Sequence, residues 1–374
     1  MAMQTQLAKK LGIDFPIFAF THCRDVVAAV TNAGGIGVLG ATGFSPEQLH
    51  IELDWIDDKV GDRPYGVDVI IPRRFEGRGE RDIEKQRALV RAAIPQGHRD
   101  FARKLLDDAG VPALPPGKKL EDRLSMTDAV SAPLVDVALS HKNCKLIANA
   151  LGTPPDDVIK QVQDAGVLIG ALCGSPRHAQ YHVDAGLDFI IAQGGEGGGH
   201  TGTIGSMVLW PQVVAIAGDI PVLAAGGIGS GQQMAAALAL GAQGVWCGSI
   251  WLTTIEAETS EAAKEAMFTA TSADTVRSSS FTGKPVRMLR NKWTEAWDAP
   301  GNPASLGAPM QMMMAGESVV RMNRHPDKFQ DYFFNPVGQI VGAMNSSISA
   351  RDQMTELVNG YLEACELLSQ LLPE

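Results

Sequence analysis

Over roughly its first 250 residues this sequence alternates short β-type runs with helix-forming stretches, and several of the runs end in glycine. A chain built this way pairs its strands in parallel, because each helix carries it back to the same edge of the sheet. The runs are Phe15–Ala19, Ile36–Leu39, Tyr65–Ile71, Lys145–Ala150, Val167–Leu172, Asp188–Gln193, Pro221–Ala225 and Gly244–Cys247. Between them, Asp25–Ala33 closes on Gly34-Gly35 as a helix C-cap, and Ser45-Pro46-Glu47 opens a helix running to Asp58. Further helices end at Ala165, at Gly186 and, after the seventh run, at Leu240. Eight βα units in about 250 residues predict an α/β fold, a TIM (β/α)8 barrel. Leu134–Leu139 is a surplus candidate, readable as a strand or as a buried helical turn.

Two stretches break the rhythm. Residues 73–143 are too long for a βα loop, and their charged, helix-prone first half predicts a helical insertion after the third strand. Residues 255–334 contain helical stretches, Gly/Pro-rich joints and a methionine run (Met310, Met312, Met313, Met314), but no further βα unit. The expected organisation is a barrel over 1–254, a smaller, mainly helical lid over 255–334 on the substrate side, and a C-terminal segment over 335–374. In that segment Ser349–Leu372 reads as an amphipathic helix able to return to the barrel wall. The methionines fit an adaptable lid over an apolar substrate and ordinary packing equally well.

Composition narrows the function classes. With 32 Lys+Arg against 42 Asp+Glu, the 374-residue chain carries a formal charge of −10, which argues against nucleic acid as the main partner. No apolar run reaches the roughly 18–20 residues that cross a bilayer, and the first residues lack the apolar core of a signal peptide. Cys23, Cys144, Cys173, Cys247 and Cys365 are scattered without a CxxC pair, so a cytoplasmic protein without disulfides is expected.

The strongest chemical signal is the loop Gln193-Gly-Gly-Glu-Gly-Gly-Gly-His200, which directly follows a strand. Its five glycines let the main chain approach a flat or charged ligand, and its single histidine suits acid–base work near neutrality. Gly226-Gly227-Ile-Gly229 and Gly248-Ser249 close the next two strands, where backbone amides form the usual phosphate cradle of such a barrel. A phosphate held by amides needs no cluster of lysines or arginines, which fits an acidic chain. Gly35-x-Gly37-x-x-Gly40 spells a dinucleotide fingerprint, yet it follows a helix and forms the strand itself, so it is set aside.

Other residues carry weaker signals. His178 and His182 are a helical turn apart but lack an acidic HExxH context, so a solvated face is expected and no metal site is assigned. Cys23 reads as a buried, inert thiol more readily than a reactive one. Glu196 is left open between orienting a neighbour and facing water. Arg73, Arg74, Arg78 and Arg81 offer cations to a CoA or nucleotide phosphate, or simply a charged solvent face.

Taken together, NAGGIGVLG at 32–40, YGVDV at 65–69, DFIIAQGGEGGGHTG at 188–202, PVLAAGGIGSG at 221–231, GVWCGS at 244–249 and FTGKPVRMLRN at 281–291 resemble the nitronate monooxygenase (2-nitropropane dioxygenase) family of FMN-dependent TIM-barrel oxidoreductases. The resemblance covers about three-quarters of the chain and omits mainly the insertion. It implies that Gly226, Gly227, Gly248 and Ser249 hold the FMN phosphate. Gln193, Gly198 and Gly199 would line the isoalloxazine or ribityl chain, with His200 as the catalytic acid/base at the flavin's reactive edge. Three departures fall around the flavin: Phe20-Thr21 replaces the family's Pro-Met, Asp68 replaces an asparagine, and Gly-Ser-Ile replaces Gly-Thr-Arg at 248–250. Thr21 and Asp68 are therefore expected beside the cofactor, where an ionised Asp68 would lower the flavin's reduction potential.

The activity implied is oxidation of alkyl nitronates or similar small anions, with O2 as the redox partner. The alternative is an NAD(P)H-linked reductase or dehydrogenase of enoyl- or acyl-thioester or quinone substrates. A flavin-binding barrel without turnover is a third class, and a homodimer stays open.

Overall fold

The computed structural model describes residue 3 and residues 5–71, 83–115, 128–325 and 328–372. Strands β1 (Ile17–Thr21), β2 (Ile36–Gly40), β3 (Tyr65–Val69), β4 (Cys144–Asn149), β5 (Leu168–Cys173) and β6 (Phe189–Gln193) pair in sequence, each parallel to the last. The two-residue β7 (Gly199–His200) leaves the barrel, and β8 (Val222–Ala225) and β9 (Gly244–Cys247) complete it. Closure comes from β9 pairing with β1, Ile17 opposite Val245.

Side chains alternate in and out along each strand, and the inward set fills the barrel. Phe18, Ile36, Val38, Leu146, Phe189, Ile191, Leu223 and Trp246 form one buried cluster. Leu7, Ala8 and Leu11 of the helix Gln6–Leu11, with Ile13, belong to the same cluster and plug the mouth at the N-terminal ends of the strands. The helix is pinned there by the Gln6 amide, which donates to Gln243 Oε1 just before β9 (3.0 Å). The outward residues pack under the surrounding helices. Leu49, Leu53, Ile56 and Val60 line one face of the helix Pro46–Val60 against Leu39 and Val67. Its start carries the capping box that Ser45 and Gln48 encode.

The 73–143 insertion contributes the helices Ile83–Ala93, Gln96–Asp108 and Asp128–Ser140, and the last absorbs Leu134–Leu139, which is helical and not a strand. Arg73, Arg74, Arg78 and Arg81 lie outside the described residues. Ile94, Ala102, Leu106 and Val111 of the insertion share one core with Phe281, Trp293, Trp297, Met314, Met322 and Phe333. Arg321, from the helix Met310–Asn323, locks the two stretches together: it donates to Asp107 Oδ1 (2.6 Å) and to the carbonyls of Pro112 (3.1 Å) and Val111. Met314 is therefore a packing residue, with Met310 and Met313 at the edge of the same core.

Between the helices of residues 255–334 the structure adds a three-stranded antiparallel sheet, β10 (Thr275–Ser278), β11 (Val286–Leu289) and β7. The helix Ser206–Ala217, which no local pattern marks, makes the crossover between β6 and β8. The C-terminal helix Ala350–Ser369 packs against the helices Gly231–Ala239 and Arg24–Asn32.

Phe189 is completely buried in the barrel's interior. Phe189→Ala is expected to cost about 3–5 kcal/mol of stability, measured by denaturant unfolding; a loss below ~1 kcal/mol would contradict this packing.

Candidate active site

The closed barrel decides which residues share its C-terminal mouth. On β3, Tyr65, Val67 and Val69 join the outer core, so Gly66 and Asp68 face inward. The same alternation turns Phe18 and Phe20 of β1 inward, and Thr21 outward. Thr21 Oγ1 accepts the Cys23 amide (3.1 Å) and shapes the turn into the next helix. The structure thus brings Asp68 into the mouth and engages Thr21 in a local bond, while Phe20 stacks on Trp246 with centroids 6.2 Å apart. His22 lies over Gly40, its Nδ1 3.0 Å from the Gly40 carbonyl oxygen.

The three glycine-bearing strand ends meet. The Gly194 amide donates to Ala225 at the end of β8 (3.0 Å), and a methyl group on Gly226 would strike Gly194 N and O at 2.9 Å. Gly226 and Gly227 have φ of 100° and 72°, a conformation that L side chains rarely adopt. Among the described residues, the amides of Gly226, Gly227 and Gly248 donate to no main-chain carbonyl. Ser249 Oγ accepts the Gly338 amide (2.8 Å), which leaves its own proton to donate. A methyl group on Gly338 would lie 2.7 Å from Glu196 O, 3.0 Å from Gly198 N and 3.2 Å from Ser249 Oγ. This late segment therefore seals the glycine loop to the end of β9, a contact with no local signature in the sequence.

The loop itself is fastened from several sides. Gln193 Nε2 donates across it to Gly198 O (3.2 Å). Glu196 orients a neighbour: its carboxylate accepts the Ser206 amide (3.0 and 2.9 Å), capping the helix Ser206–Ala217, where negative charge is favoured. Two arginines of the small sheet, which sequence reasoning did not single out, grip it from outside. Arg287 donates to Gly195 O (2.8 Å), and Arg277 to Thr201 O and Oγ1 (2.9 and 3.1 Å). The signal for Arg287 was its place within the motif at 281–291.

His200 stands on β7 opposite Val286. Its Nε2 is 3.0 Å from Thr282 Oγ1, and that hydroxyl donates its proton to Lys284 O (3.0 Å). Thr282 must therefore accept from the imidazole, which fixes the Nε2–H tautomer and leaves Nδ1 with its lone pair. Among the described residues Nδ1 has no hydrogen-bond partner. Burial, assisted by the positive charge of Lys284, lowers the His200 pKa to about 4, so the ring is neutral near pH 7. Asp68 is perturbed the other way: it is buried, its Oδ2 has no partner, and desolvation raises its pKa to about 7.

The remaining sequence candidates are structural. His178 is exposed, but His182 is not on a solvated face: it is buried, with Nδ1 2.9 Å from Thr153 Oγ1 and Nε2 3.1 Å from Leu172 O. The strand β5 lies directly beneath that helix, so one face of the turn must be covered. Cys23 is buried with its thiol on the Glu256 carbonyl (3.1 Å), and burial raises its pKa.

The family model for nitronate monooxygenase matches residues 4–360. The chain belongs to the nitronate monooxygenase family. Like its relatives, this family member is an oxidoreductase enzyme. A Mycobacterium tuberculosis protein with a provisional monooxygenase name, Rv1533, is 46% identical over 379 residues, covering 99% of this chain and 100% of that one. The nitroalkane oxidase of Streptomyces ansochromogenes superposes with a TM-score of 0.78 at 26% identity, covering 96% and 99% of the two chains. FabK of Thermotoga maritima shares the fold, with a TM-score of 0.73 at 23% identity over 99% and 100%. No helix among the described residues of this nitronate monooxygenase family member is long and apolar enough to cross a membrane.

Removing the charge of Lys284 raises the His200 pKa. In Lys284→Met, proton NMR titration of the imidazole is expected to show the midpoint shifted upward from about 4; an unmoved or lower midpoint would contradict the coupling.

Asp68 binds its proton more tightly folded (about 7) than unfolded (3.8), so stability of the ligand-free chain falls as pH rises between those values and levels off above. Asp68→Asn abolishes that penalty. Its stability relative to the parent should rise across this window by up to about 4 kcal/mol, read from denaturant midpoints at several pH values; a pH-independent difference would refute the assignment.

Proposed function

We propose that this chain is an FMN-dependent oxidoreductase acting on alkyl nitronates or similar small anions, with O2 as its redox partner. The observation that carries the reading is the convergence at one barrel mouth of three glycine-bearing strand ends, two of them with unused amides, with a neutral, half-buried imidazole in the loop of the first.

The residues present fit a phosphorylated flavin. Free amides of Gly226, Gly227 and Gly248, with the unspent proton of Ser249, form an anion cradle without a lysine or arginine at 248–250. Gln193, Gly198 and Gly199 line the approach to it, and Asp68 faces the same mouth from β3. FMN, when bound, supplies the electron transfer between substrate and O2.

The chain's own residues prepare the site. His200 Nδ1, with its lone pair free and its ring neutral, is the acid/base group of the site, able to take up a proton or accept a hydrogen bond. The imidazole is uncharged near pH 7, so the positive field felt by an anionic substrate near it comes from Lys284. Thr282 holds the tautomer, and the core shared by the insertion and residues 281–333 forms one wall built on the same small sheet. With a carboxyl pKa of about 7, Asp68 is part protonated near neutrality and places only part of a negative charge at the mouth.

His200→Asn is expected to retain the yellow chromophore and lose about 10²–10⁴-fold in turnover with a nitronate; unchanged turnover would remove His200 from the mechanism. Anaerobic mixing separates the reductase alternative: bleaching by the nitronate and not by NADH is expected, and rapid bleaching by NADH would replace the nitronate reading with it.

A further inference from the structure

The helix Pro46–Val60 presents His50, Asp54 and Asp57 along one face, and His141 meets that face where the insertion rejoins the barrel just before β4. His141 is buried, and its Nδ1 lies 2.7 Å from Asp57 Oδ2. Asp57 is itself held by Asn143 Nδ2, which donates to its other oxygen (2.9 Å). The imidazole therefore keeps its proton on Nδ1 and turns an Nε2 lone pair outward, 2.9 Å from His50 Nδ1. His50 Nε2 is 3.6 Å from Asp54 Oδ2, and both side chains are more than half exposed (55% and 64%).

We infer that His50, Asp54 and His141 form a surface zinc site remote from the barrel mouth, with Asp57 as the carboxylate that orients His141. A ring nitrogen of each histidine and a carboxylate oxygen of Asp54 lie within 4.8 Å of one another. Ligands on a tetrahedral zinc ion stand about 3.3 Å apart, given metal–ligand distances near 2.0–2.2 Å. The two histidine nitrogens are already closer than that, and the exposed Asp54 reaches the rest by side-chain rotation. Two imidazoles and one carboxylate suit zinc, with water as the fourth ligand. A carboxylate on the far nitrogen of a ligating histidine is the arrangement that metal sites use to set its tautomer and basicity. Binding replaces the His50–His141 hydrogen bond by the ion, and the His50 proton moves to its other ring nitrogen, so no proton need leave the protein. The ion ties the helix Pro46–Val60 to the segment that ends the insertion.

Calorimetric titration of the untagged full-length protein with Zn2+ at neutral pH tests this. One equivalent is expected to bind, with nitrogen and oxygen neighbours by X-ray absorption and a raised Tm. His50→Ala and Asp54→Ala, both exposed, should each weaken binding at least about tenfold, and Asp57→Asn about 10–100-fold. Cys23→Ser should change nothing, which separates this site from Cys23, Asp25 and Glu258, the other grouping able to hold a metal among the described residues. Failure of the parent chain to bind zinc, a sulfur neighbour, or full affinity in the His50→Ala/Asp54→Ala double variant would overturn the inference.

Discussion

The pairing of β9 with β1 is the constraint from which the rest of the molecule follows. Once the sheet is closed, the in–out alternation of every strand is settled together, because a shift of one residue would expose its apolar set. Phe18 and Trp246 must then fill the interior, and Asp68 must face it one layer above Gly66. Closure also brings the ends of β6, β8 and β9 side by side, so amides left unused by the ladder gather at one rim. A chain of net charge −10 thereby presents a patch of positive partial charge made from main chain alone.

Electrostatics at that rim is divided by burial. The same desolvation that lowers the His200 pKa raises that of Asp68. Glu196, close to Gly227, has its negative charge absorbed by the Ser206 amide and its helix, so it does not confront an anion at the rim. Two of these groups are matched to their surroundings by a specific neighbour, Thr282 for His200 and Ser206 for Glu196, whereas Asp68 Oδ2 has none.

The barrel was legible because its strands are short, apolar and bounded by glycine or by capped helices, as at Ser45 and Ser230. Strand boundaries shifted by one or two residues, β1 most, where Pro16 delays the ladder. The glycine loops and His200 were readable for the same reason, since a strand end marks the mouth. The small sheet was not, because Thr275–Ser278 and Val286–Leu289 are four-residue strands with charged members, stabilised by partners far along the chain. The helix Ser206–Ala217 was hidden by Pro211 and by an apolar surface on nearly every side. Gly338 and the arginines that grip the loop act across 76 to 92 residues, where no local pattern exists. The fate of His182 likewise depended on Thr153, which sequence spacing cannot place beside it.

The core that Ile94–Val111 share with Phe281–Phe333 has a consequence for biosynthesis. The helix Gln96–Asp108 leaves the ribosome early, yet its apolar face has no partner in this core until about 170 further residues (281 − 111) have been made. The last strand of the barrel is complete at Cys247, so that apolar flank stays uncovered while the remainder is translated. Apolar surface exposed for such an interval is where a growing chain is most open to contact with other molecules.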